Sequence, residues 1–328
     1  MDLEPNSDEQ QVIDAAASFL AKSLPISRLR AADEGRFDPM LRTRLAELGW
    51  YGLGLPEEQG GHGFTIVDEV LVFREIGRSL GPNAALGIAL AARTAAEAGN
   101  SALTTRLVAG ELSVGLAVAD PNRPEALIVD ADGAELALAL ADGEARLVEL
   151  GHADLEPLPS LDKSVSLARG RLDNLPVAAR CAGYGIDRAG RLLTAAMLVG
   201  ISEAVTAMIT DYAKIRETFG RPIGAYQAVR HPCADMAVRT FATRAQLFLA
   251  AVSVRDGRAD ADLQVDAAKA LANDCALLNV DQNIQLHGGI ATTDEHDAHL
   301  FMKRANLLVR LFGGRALLDR LLHAPMAA

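Results

Sequence analysis

The sequence predicts an α+β fold that is mainly α: an N-terminal helical domain, a small middle β domain and a C-terminal four-helix bundle. Three observations predict it. Of 328 residues, 50% are hydrophobic but only 4% aromatic, an Ala- and Leu-rich mix that suits packed helices better than a β-sandwich. Apolar residues recur at helical spacing on both sides of a stretch from about Leu112 to Val177, and inside it short apolar runs alternate with Asp-Gly pairs. The last part of the chain holds three long helical patterns joined by short loops, the signature of a bundle. The expected domains are residues 1–111, 112–183 and 184–328.

Each element has its own signal. Ser7 with Gln10 resembles a capping box, followed by Val12, Ile13, Ala16, Phe19 and Leu20 at helical spacing. The loop from Pro56 to Gly63 breaks the pattern. Helix resumes at Val67, Val70, Leu71, Arg74 and Ile76 and stops at Gly81-Pro82, and another helix closes near Ala109-Gly110. Residues 112–119, 126–129, 135–140 and 145–150 read as strands of a small antiparallel sheet, with hairpin signals at Asp132-Gly133 and Asp142-Gly143. Beyond it, helices are expected over 187–219, 226–254 and 261–287, with shorter ones at 295–311 and 315–322.

Composition excludes several function classes. A net charge of −11 argues against nucleic acid, which needs a basic face. Cys181, Cys233 and Cys275 are far apart and odd in number, matching neither a disulfide framework nor a metal pattern, so a reducing cytoplasm is expected. Asp8, Glu9 and Gln10 stand where a signal peptide would be apolar, and no apolar run is long enough to span a bilayer, so no membrane association is expected.

The segment from Arg216 to Gln227 combines a fixed cation, the ring of Phe219, a Gly220-Arg221-Pro222 break, Tyr226 and a glutamine between two long helical patterns. Singly, these are a cation at a helix C-terminus, a core ring and a C-cap. Together they suit a charged, ring-bearing cofactor, since Arg forks onto a diphosphate as Lys cannot. A second cluster is Gln285-Leu286-His287-Gly288-Gly289. Its glycine pair stops a helix and also lets backbone approach a bulky ligand, while Gln285 can donate to and accept from a nucleotide edge. His296 and His299 with Asp294, Glu295 and Asp297 read as a capped helix start rather than a metal site.

These residues resemble the acyl-CoA dehydrogenase family at three places. Leu55 to Gly63, with Phe73 to Arg78 after it, resembles that family's Pro-Glu-Xaa-Xaa-Gly-Gly loop and Glu-Xaa-Gly-Arg helix. Arg216 to Gln227, then Ala234-Asp235-Met236, is similar to its dimer-interface signature, and Gln285 to Gly289 with Thr292 to Arg304 is similar to the third motif. The resemblance spans almost the whole chain in order. It implies FAD shared across a subunit interface and oxidation of an acyl-CoA thioester, a carboxylate removing the α-proton while the β-hydride goes to flavin N5. It also implies that Arg216, Phe219, Tyr226, Gln227, Gln285, Gly288 and Gly289 hold the pyrophosphate and adenosine of an FAD whose flavin lies in the neighbouring subunit.

Three departures qualify that expectation. The position of the late-helix base falls at Phe312, and that of the alternative base at Gly190; neither is an acid. Asp187 and Glu203 lie on the same helix as Gly190, and read as a cap and a paired or solvated carboxylate. The family's flavin-contacting Thr-Glu-Pro segment is replaced by Val118-Ala119-Asp120-Pro121-Asn122-Arg123-Pro124. No catalytic residue is therefore expected in this chain. The resemblance is to the base-lacking subunit of actinobacterial heteromeric (α2β2) steroid-CoA dehydrogenases. It implies a catalytic partner that carries the base and most of the CoA thioester, with an electron-transfer flavoprotein as acceptor. The alternatives are a self-sufficient homomer using Asp187 or Glu203, and a flavin-free scaffold.

Overall fold

The computed structural model describes residues 4–30, 37–119, 122–313 and 315–324. Helices α1 (Ser7–Ser23), α2 (Pro39–Glu47), α3 (Ile66–Arg78), α4 (Ala84–Glu97) and α5 (Ser101–Val108) precede seven strands. The strands are β1 (Val114–Val118), β2 (Ala126–Val129), β3 (Leu136–Ala141), β4 (Glu144–Glu149), β5 (Glu156–Leu158), β6 (Leu167–Gly170) and β7 (Val177–Ala182). Then come α6 (Gly183–Ile215), a ribbon of β8 (Glu217–Thr218) and β9 (Arg221–Pro222), α7 (Gln227–Arg255), α8 (Ala261–His287), α9 (Ala298–Leu308) and α10 (Arg315–His323). The α+β, mainly helical class is as predicted. The chain forms two compact units, one from residues 1–30, 70–81 and 191–328, the other from 31–69 and 82–190.

In the second unit the sheet has the order β5-β6-β2-β1-β3-β4-β7. Its neighbours are antiparallel except β1 and β3, which pair in parallel with Leu116 opposite Leu138. That corrects the purely antiparallel expectation. Asp142-Gly143 does turn a β3–β4 hairpin, with Ala141 opposite Glu144 and both turn residues at positive φ. Asp132-Gly133 does not, because β1 lies between β2 and β3 and the chain crosses its end instead. Ile128, Ala137 and Ala168 gather with Ala131 and Leu150 into one core. Helix α4 is buried on every side from Ala84 to Ala92, and it packs on β1 and β7.

In the first unit, α1 starts one residue earlier than Ser7 suggested. Asn6 is the cap: its Oδ1 accepts from Asp8 and Glu9, and Glu9 Oε2 accepts from the Asn6 amide at 2.8 Å. Contrary to the expectation that no apolar run is long enough to cross a bilayer, α6 is so by length and composition, with mean hydropathy 1.9. The reason is packing, since 72% of that stretch is buried inside the protein. Helices α3 and α6 cross at glycines. A Cβ on Gly200 would lie 1.9 Å from Arg74 O, and one on Gly77 2.0 Å from Met197 O. The C-terminal end of α3 is closed by two cations, Arg28 donating to Leu80 O at 2.6 Å and buried Arg304 to Gly81 O at 2.8 Å.

Candidate functional site

Helix α6 stops at Ile215, four residues before the expected Phe219. Phe219 (φ 48) and Gly220 (φ 76) are both left-handed, so they make a two-residue turn that joins β8 to β9. Ile223 N then donates to Arg216 O at 2.7 Å and closes the ribbon against the helix end. Arg216 is the first residue beyond α6 and is exposed. Phe219 stands at the ribbon tip with 94% of its surface exposed, not in a core. Tyr226 is half-buried; its hydroxyl donates to Thr218 O at 3.0 Å and its ring lies 4.2 Å from the Arg221 guanidinium carbon. Within this chain it braces the ribbon. Gln227, exposed, opens α7.

Gln285 is exposed in the last turn of α8, and exposed Gly288 and Gly289 begin the 3-10 turn Gly288–Thr292. Gly288 has φ 72 and ψ −152, a conformation open essentially to glycine alone. Gly289 is different. Apart from its chain neighbours, no atom of the described residues lies within 4 Å of the place where its Cβ would stand, so none of them demands a glycine there.

The structure brings the two motifs to one end of the bundle through a contact the sequence reading missed. Tyr212, one turn before Arg216, packs on His287 with ring centroids 4.4 Å apart and planes tilted by 30°, and His287 meets His296 at 4.5 Å and 53°. The available signal was the four-residue spacing of Tyr212 and Arg216, which puts both on one helix face. His296, one residue before Asp297, the N-cap of α9, accepts from Ala298 N through Nδ1 at 3.1 Å, while the Asp297 side chain makes no capping bond. Burial pushes the imidazoles of His287 and His296 below the ordinary histidine value.

The same unit carries exposed apolar side chains on α7 and α8, which pack side by side. Val238 and Phe241 on α7 are 68% and 61% exposed, and Leu271 and Leu278 on α8 46% and 53%. Their spacings of three and seven keep each pair on one face of its helix.

The positions that would hold a base are occupied otherwise. Phe312 is half-buried, with φ 50, in the loop after α9. Gly190 is buried inside α6. Glu203 is half-buried between two cations, 3.6 Å from Arg74 Nε and 3.6 Å from Arg244 Nη1. The paired reading of Glu203 is therefore the one realised. Asp187 is no cap, since α6 begins four residues earlier at Gly183. Of the replaced flavin segment, Asp120 and Pro121 lie outside the described residues.

Close to Phe312 sits Lys269, fully buried, donating to Asn273 Oδ1 at 2.7 Å and to Leu308 O at 3.1 Å. Burial lowers its pKa from 10.5 to about 7. Between these values the unfolded chain binds more protons than the folded one, so stability rises with pH across that window. Lys269→Met is expected to flatten that rise, which urea denaturation at a series of alkaline pH values measures. A slope unchanged by the substitution contradicts the assignment.

Residues 6–113 match the family model for the acyl-CoA dehydrogenase N-terminal domain, and residues 188–322 that for its C-terminal domain. The chain is 34% identical over 309 residues to acyl-CoA dehydrogenase IpdE2 of Mycobacterium tuberculosis, covering 93% of this chain and 92% of that protein. Among solved structures, it superposes on the steroid ACAD Tcur3481-Tcur3483 with TM-score 0.82 and 26% identity, covering 96% of each chain. The ChsE4-ChsE5 complex from Mycobacterium tuberculosis shares the fold, with TM-score 0.86 and 23% identity over 99% of this chain and 100% of that one. This chain belongs to the acyl-CoA dehydrogenase family.

Proposed function

We propose that this chain is a non-catalytic, cytoplasmic subunit of a heteromeric α2β2 acyl-CoA dehydrogenase, holding the nucleotide half of an FAD whose flavin lies mainly in a partner subunit. The observation that carries the reading is Phe219. A left-handed non-glycine residue is strained by about 1–2 kcal/mol, and an exposed phenyl ring forgoes about 1.5–3 kcal/mol of burial. Among the described residues nothing covers the ring to offset either term, since it is 94% exposed. A ligand or partner arriving from outside does.

The donor set fits the nucleotide end of FAD. Arg216 offers a forked cation to the diphosphate, Phe219 an apolar face, and Gln227 and Gln285 amide donors and acceptors to sugar and base edges. The open space at Gly289 admits close approach of backbone to ligand. When bound, FAD supplies hydride acceptance in the desaturation of the CoA thioester.

At the positions where a base is expected none stands ready to take the α-proton: Phe312 and Gly190 are not acids, and Glu203, on the same helix as Gly190, is paired with Arg74 and Arg244. A positioned base contributes on the order of a hundred- to ten-thousandfold in rate, so the partner must bring it. Exposed Val238, Phe241, Leu271 and Leu278 suit burial against another subunit. Likeness to the steroid ACAD Tcur3481-Tcur3483 supports a steroid-derived thioester as the substrate class, held mainly by the partner. An electron-transfer flavoprotein is the proposed acceptor.

The test is purification alone and with the catalytic partner. Alone, the chain is expected to be colourless and inactive; co-expressed, it enters a yellow complex that desaturates a steroid-CoA thioester. A yellow, active homomer contradicts the proposal.

A further inference from the structure

The Tyr212–His287–His296 ring contact joins the end of α6 to the turn after α8, and its two imidazoles hold their protons in specific places. His287 Nδ1 lies 2.8 Å from Asn283 O, a carbonyl that only accepts, so this nitrogen carries the proton. Its Nε2 is then a bare lone pair, buried and with no hydrogen-bond partner among the described residues. His296 is the opposite tautomer, because its Nδ1 accepts the amide of Ala298, the first residue of α9. A second proton on either ring therefore has no acceptor among the described residues: on His287 it would sit on the buried Nε2, and on His296 it would displace the Ala298 contact. A proton on His287 places a charge in a site 6% exposed and beside a second imidazole. A proton on His296 Nδ1 sets N–H against N–H at the positive end of α9.

The surrounding charges do not rescue the protonated form. Asp297 favours a charge on His296, but it is engaged by Arg30 at 2.8 Å, which opposes one. Asp294 and Asp297 favour a charge on neighbouring His299 while Lys303 and Arg30 oppose it. His287 is opposed by His296 and faces Tyr212 on α6. Tyr212 offers a cation–π contact, which is weaker than the cost of burying a charge.

We propose that this contact is a proton-sensitive latch: with His287 neutral the rings hold the Gly288–Thr292 turn against the end of α6, and protonation of His287 frees it. Because the folded-state histidines favour the neutral form, the latch is intact above the ordinary histidine range and is lost as pH falls below it. Its consequence for cofactor rests on the clamp reading above: acid loosens Gln285, Gly288 and Gly289 from Arg216 and Phe219, and the nucleotide leaves.

Hydrogen exchange of residues 284–297 in the purified chain, corrected for intrinsic rates, tests the latch without cofactor. Protection is expected to fall about tenfold from about pH 7.5 to about pH 5.5, while α4 is unchanged. His287→Phe keeps a ring but no titrating nitrogen, and its protection ratio between the two pH values is expected to stay near one. Equal protection of the wild type at both values, or a fall in His287→Phe as large as in wild type, overturns the latch. In wild type alone, the His287 and His296 Cε1–H resonances are expected to titrate together, with Tyr212 ring signals shifting alongside; an unmoved Tyr212 also overturns it. Flavin retained by the co-purified complex is expected to drop over the same pH interval. Flavin retention that ignores Arg216→Ala at every pH instead counts against the clamp.

Discussion

Asp266→Ala is expected to remove about 3–5 kcal/mol of folding stability, because it breaks a buried ion pair by deleting a carboxylate that two arginines share. Asp266 is 5% exposed on α8 and is shared by two arginines. Arg191 on α6, 3% exposed, donates to its Oδ1. Arg320 on α10 donates Nε to Oδ2 at 2.7 Å and Nη2 to Oδ1 at 3.2 Å. One carboxylate therefore ties three helices. Its removal takes from buried Arg191 an anion it donates to, and a buried charge is far more expensive to disturb than a surface one. Asp266→Asn keeps both acceptor directions on one oxygen and loses the charge, so an intermediate loss is expected. Arg320→Ala should do least, because that side chain is 46% exposed and water screens its pair. Urea denaturation of the three variants checks the order; an Asp266→Ala midpoint within error of wild type contradicts it.

Gly200→Val is expected to destabilise by about 3 kcal/mol or more. The first carbon of any side chain at Gly200 meets Arg74 O at 1.9 Å and Arg78 N at 2.7 Å. These are backbone atoms of α3, so no side chain can swing away to make room. The helices must part, and Arg74 moves with them, although it pairs with Glu75 at 3.0 Å and lies over the Phe248 ring at 5.7 Å. Gly200→Ala should show the same sign with a smaller size. Gly289→Ala is the control, since its Cβ enters open space and the melting temperature should be unchanged. Comparable losses for Gly289→Ala and Gly200→Val would show that local glycine chemistry, not the helix crossing, sets the effect.

Much of the architecture was legible because helical periodicity survives tertiary context. The 261–287 pattern became α8 residue for residue, stopped by Gly288-Gly289. The sheet was less readable. Strands such as Glu156-Pro157-Leu158 hold no apolar run, and the parallel β1–β3 pairing depends on which strand sits between which, a long-range matter that turn residues do not encode. The Ser7 box failed by one residue because Asn6 is an equally good cap and Glu9 stands three residues from it. At the candidate site, residue types pointed to Arg216 and Gly288 without their geometry. Taken singly Phe219 read as a core ring, because its exposure at the ribbon tip follows from a left-handed turn that residue type does not announce. The linkage through Tyr212 and His287 joins residues 75 positions apart, and only the fold places them together.

The central claim is that Arg216 and its neighbours serve a flavin held mainly by another chain. The most direct measurement is flavin content per complex after co-expression with the catalytic partner, with Arg216→Ala introduced in this chain alone. Loss of a forked, charge-assisted contact of about 1.5–3 kcal/mol predicts flavin binding weakened by about ten- to a hundredfold. The complex should still assemble, with flavin lost on gel filtration and restored by added FAD. Full flavin retention in an Arg216→Ala complex that remains active would contradict the account.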